Sequence, residues 1–411
     1  MRSLLTLALV MALAPVSPSL AEPAAAPATS QEAREWAAFC DRLKEEGLRI
    51  LREHPQPHAI DREEGLRYLA QQVRFAIGDE LIAEERGFPL LRLGATTIDK
   101  WGLDGADARY LAARIRGDGV YRLHGTLGTA RLIAMQSFTM AGGFQAFDSM
   151  SGEAFGADAD RRVDLRISAT RPEGWTGPWL RLAPAATNLL VREYFNDWER
   201  EEVSRLVLER LDAPEPRTGD PAAGRLARIA AAFGGRAALW LPRAAQTREH
   251  LVNRFTRPPN QASQGLKDNV YGQGWFQVPE GSALVIELDA PDALLWSFQL
   301  GNTWWESLDY VNHTGSLNGH QAVASSDGRY RLVISQEDPG VPNWLDPSGH
   351  PEGMVLYRYQ QARNAPVPKA RRVPLAELRQ TLPEDTPEVT PQQRALEIAR
   401  RREHASRRWS P

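Results

Sequence analysis

Apolar residues recur at three- and four-residue spacing early in the chain: Trp36, Phe39, Leu43, Gly47 and Ile50, then Leu66, Leu69, Val73 and Ile77. This spacing predicts two amphipathic helices, separated where Pro55 and Pro57 break the backbone ladder. From about Phe88 the period shortens to two. Tyr121, Leu123 and Gly125 alternate with Val120, Arg122 and His124; residues 132–138 and 163–167 also read as strands, with Gly- and Asp-rich turns between them. Trp179-Leu180 and residues 189–192 lead into a predicted helix, capped by Asn196 or Asp197, with Val203, Leu206 and Val207 inside it. A Pro-rich break over 213–221 precedes an Ala-rich helical run over 222–255, kinked at Pro242.

The Pro258-Pro259 step marks a boundary. Beyond it, residues 283–288, 294–300, 329–335 and 354–359 read as short strands, and Asp327-Gly328 as a turn pair joining two of them in a hairpin. Short antiparallel strands carrying long loops predict a sandwich of jelly-roll type. The expected class is therefore α+β. A mixed helical and strand region (31–257) precedes a jelly-roll-like antiparallel β-sandwich (258–362) and a basic helical tail (363–411). No internal repeat is legible.

The first residues place this fold outside the cytoplasm. Arg2, an apolar run from Leu4 to Leu13, Pro15 and the small-residue ending Ser19-Leu20-Ala21 describe a cleavable secretory signal over 1–21, cut after Ala21. The apolar run falls short of the roughly twenty residues a membrane span requires. A soluble periplasmic or secreted protein is expected, with residues 22–30 a Pro/Ala-rich disordered leader and no transmembrane segment. The only cysteine, Cys40, has no internal disulfide partner, and its place beside Phe39 predicts a buried small hydrophobe rather than a reactive thiol.

Charge adds a polarity. From Arg363 onward 11 Lys/Arg face 6 Asp/Glu, a basic tail on an acidic body. Its arginines, Arg394, Arg400, Arg401, Arg402, Arg407 and Arg408, lie on an expected helix that either packs on the body, with Leu375, Leu378 and Leu382 as contacts, or meets an anionic surface. With no basic body and no aromatic-basic module, nucleic acid is not an expected partner.

Candidate chemistry gathers between Gln299 and Arg358, which hold Trp304, Trp305, Trp344 and three of the eight histidines. Asp309, Asp338 and Asp346 are acid/base candidates, and His313, His320 and His350 are proton carriers or ligands. Trp304, Trp305 and Trp344 offer stacking surfaces, with Asn318, Asn343 and Arg358 as polar contacts for a sugar ring or an aromatic ligand. On a strand, Trp304 and Trp305 would point to opposite faces. The 338–346 loop, stiffened by Pro339 and Pro342, reads either as a ligand rim or as a cap with Trp344 buried and Asp346 closing a turn.

No HExxH or HxH motif is present, so a divalent metal is possible but not favoured. No G-x-S-x-G elbow, P-loop or strand-linked G-x-G-x-x-G appears, so the cofactor stays unassigned. An enzyme here would be a carboxylate/His or metal-assisted hydrolase or lyase.

Trp296, Gln299-Leu300-Gly301, Trp305, Asp309-Tyr310, Ser316-Leu317-Asn318, Gln321-Ala322, Asp327-Gly328, Asp338-Pro339-Gly340, Asn343-Trp344-Leu345-Asp346, Gly349-His350 and Arg358 carry a likeness. The stretch resembles the bacterial family called domain of unknown function 1214. A fainter likeness runs upstream through Asp104, Asp107, Tyr110, residues 121–125 and residues 191–199. At 102–107 this chain departs from the Gly-Asp-Asn type of run that relatives favour. The resemblance implies a jelly-roll-type C-terminal module and supplies no activity.

Two functions follow from these readings. One is an exported protein binding a small polar-aromatic or glycan-like ligand at the C-terminal loops, with hydrolysis or elimination there. The alternative is a non-enzymatic envelope scaffold or assembly protein. An active site needs the histidines and carboxylates to converge in a pocket, whereas a scaffold disperses them and buries the tryptophans.

Overall fold

Ser30 accepts a hydrogen bond from the Ala33 backbone N–H and caps α1 (Gln31–Glu53). The helix ends before Pro55, and α2 (Ala59–Ala83) begins after Pro57. This computed structural model describes residues 30–83, 89–212, 224–256 and 269–409. The expected signal, nearly all of the leader, the 213–221 break and the Pro258-Pro259 step lie outside them.

Both helices pack on α3 (Arg225–Leu239), whose Ile229, Phe233 and Ala237 join Phe39, Ile50, Tyr68 and Ala76 in one apolar cluster. That stripe is narrower than the sequence pattern suggests. Trp36 and Leu66 are 58% and 63% exposed, and Cys40 is exposed rather than buried. A short break at Trp240 separates α3 from α4 (Leu241–His250), with Pro242 in the first turn, where a missing N–H costs no helical bond.

Between the helix pairs run β1 (Arg92–Leu93), β2 (Ala108–Arg114), β3 (Tyr121–Thr126), β4 (Leu132–Thr139), β5 (Gln145–Ser151), β6 (Arg162–Ser168), β7 (Trp179–Arg181), β8 (Asn188–Tyr194) and β9 (Arg205–Arg210). Sheets ordered β1-β2-β8-β4-β5 and β7-β6-β3-β9 enclose one core, including Leu111, Met135 and Val191 from the first and Leu123, Leu165 and Leu208 from the second. The helix expected around Val203, Leu206 and Val207 is strand β9. Buried Glu193 accepts bonds from the Ser204 backbone N–H and hydroxyl and pairs with Arg109, and this fixes the segment against β3 in extended form.

After α4 come β10 (Val270–Gln277), β11 (Ser282–Leu288), β12 (Ala293–Gly301), β13 (Ser316–Asn318), β14 (Tyr330–Ser335), β15 (Trp344–Leu345), β16 (Glu352–Ala362) and β17 (Lys369–Pro374). Sheets β10-β16-β12-β13 and β15-β14-β11-β17 face each other across a second core built on Phe298, Tyr357, Ile286 and Leu332. The pairing is mostly antiparallel, with β14–β15 and β6–β7 parallel. The tail is not helical from residue 363: β17 completes a sheet beside β11, then come α5 (Leu378–Thr381) and α6 (Pro391–Trp409). The Asp327-Gly328 turn joins no pair of named strands; it closes on a single bridge between Ala324 and Tyr330.

The two sandwiches share one wiring. In the first, β2–β8, β4–β8, β4–β5, β3–β6, β3–β9 and β6–β7 pair. In the second, β10–β16, β12–β16, β12–β13, β11–β14, β11–β17 and β14–β15 repeat those partners and directions in the same chain order. Register agrees too. Arg166 lies opposite Trp179 as Val333 lies opposite Trp344, with Ile167–Leu180 matching Ile334–Leu345 in the next pair. Ser168 and Ser335, ending equivalent strands, each donate a hydroxyl bond to the carbonyl two residues on. Arg161 and Gly328, at the equivalent turns, both have positive φ. An internal repeat is therefore present, although no sequence period announces it.

Candidate functional site

Strand β12 ends at Gly301, and Asn302 turns the chain: its side-chain oxygen accepts the backbone N–H groups of Trp304 and Glu306, both at 3.0 Å. Trp305 takes φ +63° in this turn, so the two tryptophans are not on a strand. Trp304 enters the helical layer, stacks on Tyr68 at 5.3 Å and donates its indole N–H to the Asp61 carbonyl. Gly65 admits it, since a Cβ there would lie 2.4 Å from the ring. Trp305 stacks on Trp240 at 5.8 Å, with the Arg243 guanidinium over its face.

A second turn, with Gly349 at φ +85°, brings His350 to the same place. Its Nδ1 lies 3.1 Å from Asp61 Oδ1, and its Nε2 lies 3.5 Å from Glu64 Oε2. Asp61 and Glu64 are one turn apart on α2 and share its inner face. Asn302 donates to Glu64 Oε2 at 2.8 Å and lies 3.4 Å from Glu306 Oε2. Asp61 and Glu306 are fully buried, and Asp61 Oδ2 and Glu306 Oε1 have no hydrogen-bond partner within the protein. One donor atom from each of Asp61, Glu64 and His350 lies within 4.8 Å of the others, a spread that one cation could bridge.

Burial pushes His350 down, but Asp61 and Glu64 outweigh it and hold the imidazole up at about 9. Burial lifts Glu306 to about 8 despite Lys100 and Arg67. Glu64, although burial raises it, ends below its ordinary value through His350 and Asn302. Two further polar knots flank this centre. Lys100 donates to the Ser307 carbonyl, and Asp104, raised by burial to about 6, accepts from the Ser307 hydroxyl. Glu352 accepts from the Trp275 indole and from Arg248 and lies 2.9 Å from His58 Nε2; these partners overcome the upward push of burial and lower its carboxyl.

The residues expected from sequence do not meet at one point. His350 reaches the buried centre, whereas His313 pairs with Asp346 at 2.7 Å and half-exposed His320 lies 3.7 Å from Asp197. Asp309 caps its own turn through Val311 and Asn312, and Asp346 accepts the Ser348 N–H. Asp338 is held by Arg394. Trp344 is buried, donates to the Ser335 carbonyl and lies under the Arg394 guanidinium. Asn343, at φ +59°, clasps Val323 from both sides, accepting its N–H and donating to its carbonyl.

Asn318 and Arg358, expected to hold a ligand, hold the chain's own 102–107 segment. Asn318 donates to Asp107 at 2.7 Å, and Arg358 donates to the Leu103 carbonyl and to Gln299. Gln299 in turn accepts the Ala106 N–H and donates to the Asp104 carbonyl. Sequence reading missed Asp61, Glu64, Asn302 and Glu306. A usable signal existed in α2: Asp61 stands seven residues before core-facing Tyr68, so its carboxylate falls on the apolar stripe.

No family model matches the chain, and no curated protein matches it. Among solved structures, an uncharacterised protein from Burkholderia cenocepacia is 32% identical, with 84% of this chain and 98% of that chain covered and a TM-score of 0.78. A Vibrio parahaemolyticus protein is 13% identical over 74% of this chain and 98% of its own, at a TM-score of 0.42. Bacillus subtilis oxalate decarboxylase is 8% identical over 72% and 79%, at 0.16. The last two likenesses are too slight to carry an argument.

Proposed function

The chain belongs to the family of the Burkholderia cenocepacia protein, and from its own geometry we propose that it is an exported, non-enzymatic scaffold or assembly protein of the cell envelope. One observation carries this reading: the groups suited to gripping a foreign ligand are occupied by the chain itself. Trp304 is covered by α2, Trp344 by α6, and Asn318 and Arg358 by the 102–107 segment. Export rests on the order of charged, apolar and small residues over 1–21. The second sandwich is wound as a jelly roll in this reading, supported by nested pairs β12–β13, β11–β14 and β10–β16. Its likeness to domain of unknown function 1214 is supported by the roles of the residues that carry it: Gln299, Asn318, Asn343 and Arg358 form the clasps of the module.

A second reading keeps a small polar or glycan-like ligand. A cleft of about 290 Å³ beside Asn343, lined also by Ser325, Arg331 and Asp385, favours it. Thermal melting of the mature chain against sugars and aromatic acids separates the two. A ligand at a hundred times its dissociation constant adds about 2.7 kcal/mol to a protein it binds only when folded. The scaffold reading expects an unmoved midpoint across the panel. A clear shift, abolished by Asn343→Ala or Trp344→Ala in chains that still fold, transfers the assignment to ligand binding.

A further inference from the structure

We propose that Asp61, Glu64 and His350 form a binding site for a divalent transition-metal cation of the Zn2+ or Mn2+ type, which ties α2 to the second sandwich. The site goes beyond the scaffold reading and does not depend on it. Two carboxylates and an imidazole, each with a donor atom within 4.8 Å of the others, make an oxygen and nitrogen donor set of the kind these ions take, the ion replacing a ring proton that His350 releases to solvent. Calcium fits less well, because it asks for six to eight oxygens.

An orphaned oxygen within the donor set points to a cation. Asp61 Oδ2 is buried with no partner in the protein, an arrangement that costs free energy unless something positive or hydrogen-bonding meets it. The residues behind the donors are also fixed. Trp304 holds the Asp61 backbone carbonyl, and Asn302 holds Glu64 while its own oxygen is tied to two backbone N–H groups. Glu64 is the one donor with partial exposure, and it pairs with half-exposed Arg67. Nothing here asks for turnover: Trp304 closes the other side, and the ion's role is to brace two elements joined by residues far apart in the chain.

The test uses the mature chain, stripped with a chelator and dialysed against Zn2+ or Mn2+ alone, with the retained metal measured by elemental analysis. A single ion per chain is expected, together with a melting temperature that rises on loading and falls again with EDTA. Glu64→Gln, which keeps its hydrogen bond from Asn302, should weaken retention at least about tenfold while far-UV circular dichroism stays unchanged. Wild-type protein that keeps less than a stoichiometric ion overturns the proposal whatever the variant does. Equal retention by wild type and folded Glu64→Gln overturns it as well. Neither result alters what melting against sugars and aromatic acids says of the scaffold.

Discussion

Gly65 and Gly78 lie on the same helix and meet opposite surroundings. A methyl group at Gly65 would drive into the Trp304 ring, whereas at Gly78 nothing lies within 4 Å. Gly65→Ala should destabilise the protein by about 1–3 kcal/mol, the range for forcing extra volume into a packed contact. Gly78→Ala should leave stability unchanged or raise it by up to about 1 kcal/mol, because alanine loses less backbone entropy in a helix. Urea midpoints of the pair measure how tightly α2 is seated on the sandwich. Equal midpoints would mean that the seat is loose.

Asp104 supplies a pH dependence with a definite sign. Its folded carboxyl, at about 6, stands above its ordinary 3.8 despite the pull of Lys100 and Arg358 and with Tyr110 and Tyr310 also near. Between those values the folded chain binds more protons than the unfolded one, so this group's contribution falls as pH rises from about 4 to about 6. Asp104→Asn keeps an acceptor for the Ser307 hydroxyl and removes the charge. Denaturation across that window should show a shallower decline in the variant, and parallel curves would relocate the effect to another group.

At the scale of elements, alternation was legible where strands cover a core on one face, as in 121–126 and 162–168. It failed where short strands are held by long-range partners. β9 carries Val203, Leu206 and Val207 close by or within it and mimics a helix until Glu193 is seen holding Ser204. The 299–358 stretch is dense in polar and aromatic groups, but local sequence does not show that their partners are α2, α6 and residues 102–107. Of the centre that did form, only His350 stood in that stretch as a named candidate. Asp61 and Glu64 reach it across nearly three hundred positions, a separation that no spacing rule bridges.

Helix α6 packs on the body through one face. Arg394, Arg401 and Arg408 recur every seven residues, so they share one face, and all three are buried. Arg394 meets Asp338 and the Trp344 ring, Arg401 the Tyr310 carbonyl and the Trp198 ring, and Arg408 the Ala106 carbonyl and the Phe195 ring. The helix thereby bridges the two sandwiches.

Over the whole molecule, that bridge, the helical layer and the 102–107 segment join two separate apolar cores. Calorimetry of residues 22–411 should record one cooperative transition, and a chain ending at residue 390 should divide it into two or lower its midpoint. A shortened chain that melts as the full one does would show that α6 couples nothing.

The shared wiring of the two sandwiches has a consequence for how such a chain comes to exist. Tandem copies of one topology are what gene duplication of a single-sandwich ancestor leaves behind. In this chain the surface formed by Gln299, Asn318 and Arg358 clasps residues of the 102–107 segment. Carried on one chain, the contact is intramolecular, with an effective concentration set by chain connectivity rather than by expression level. Forming that contact is therefore a step of folding, independent of protein concentration.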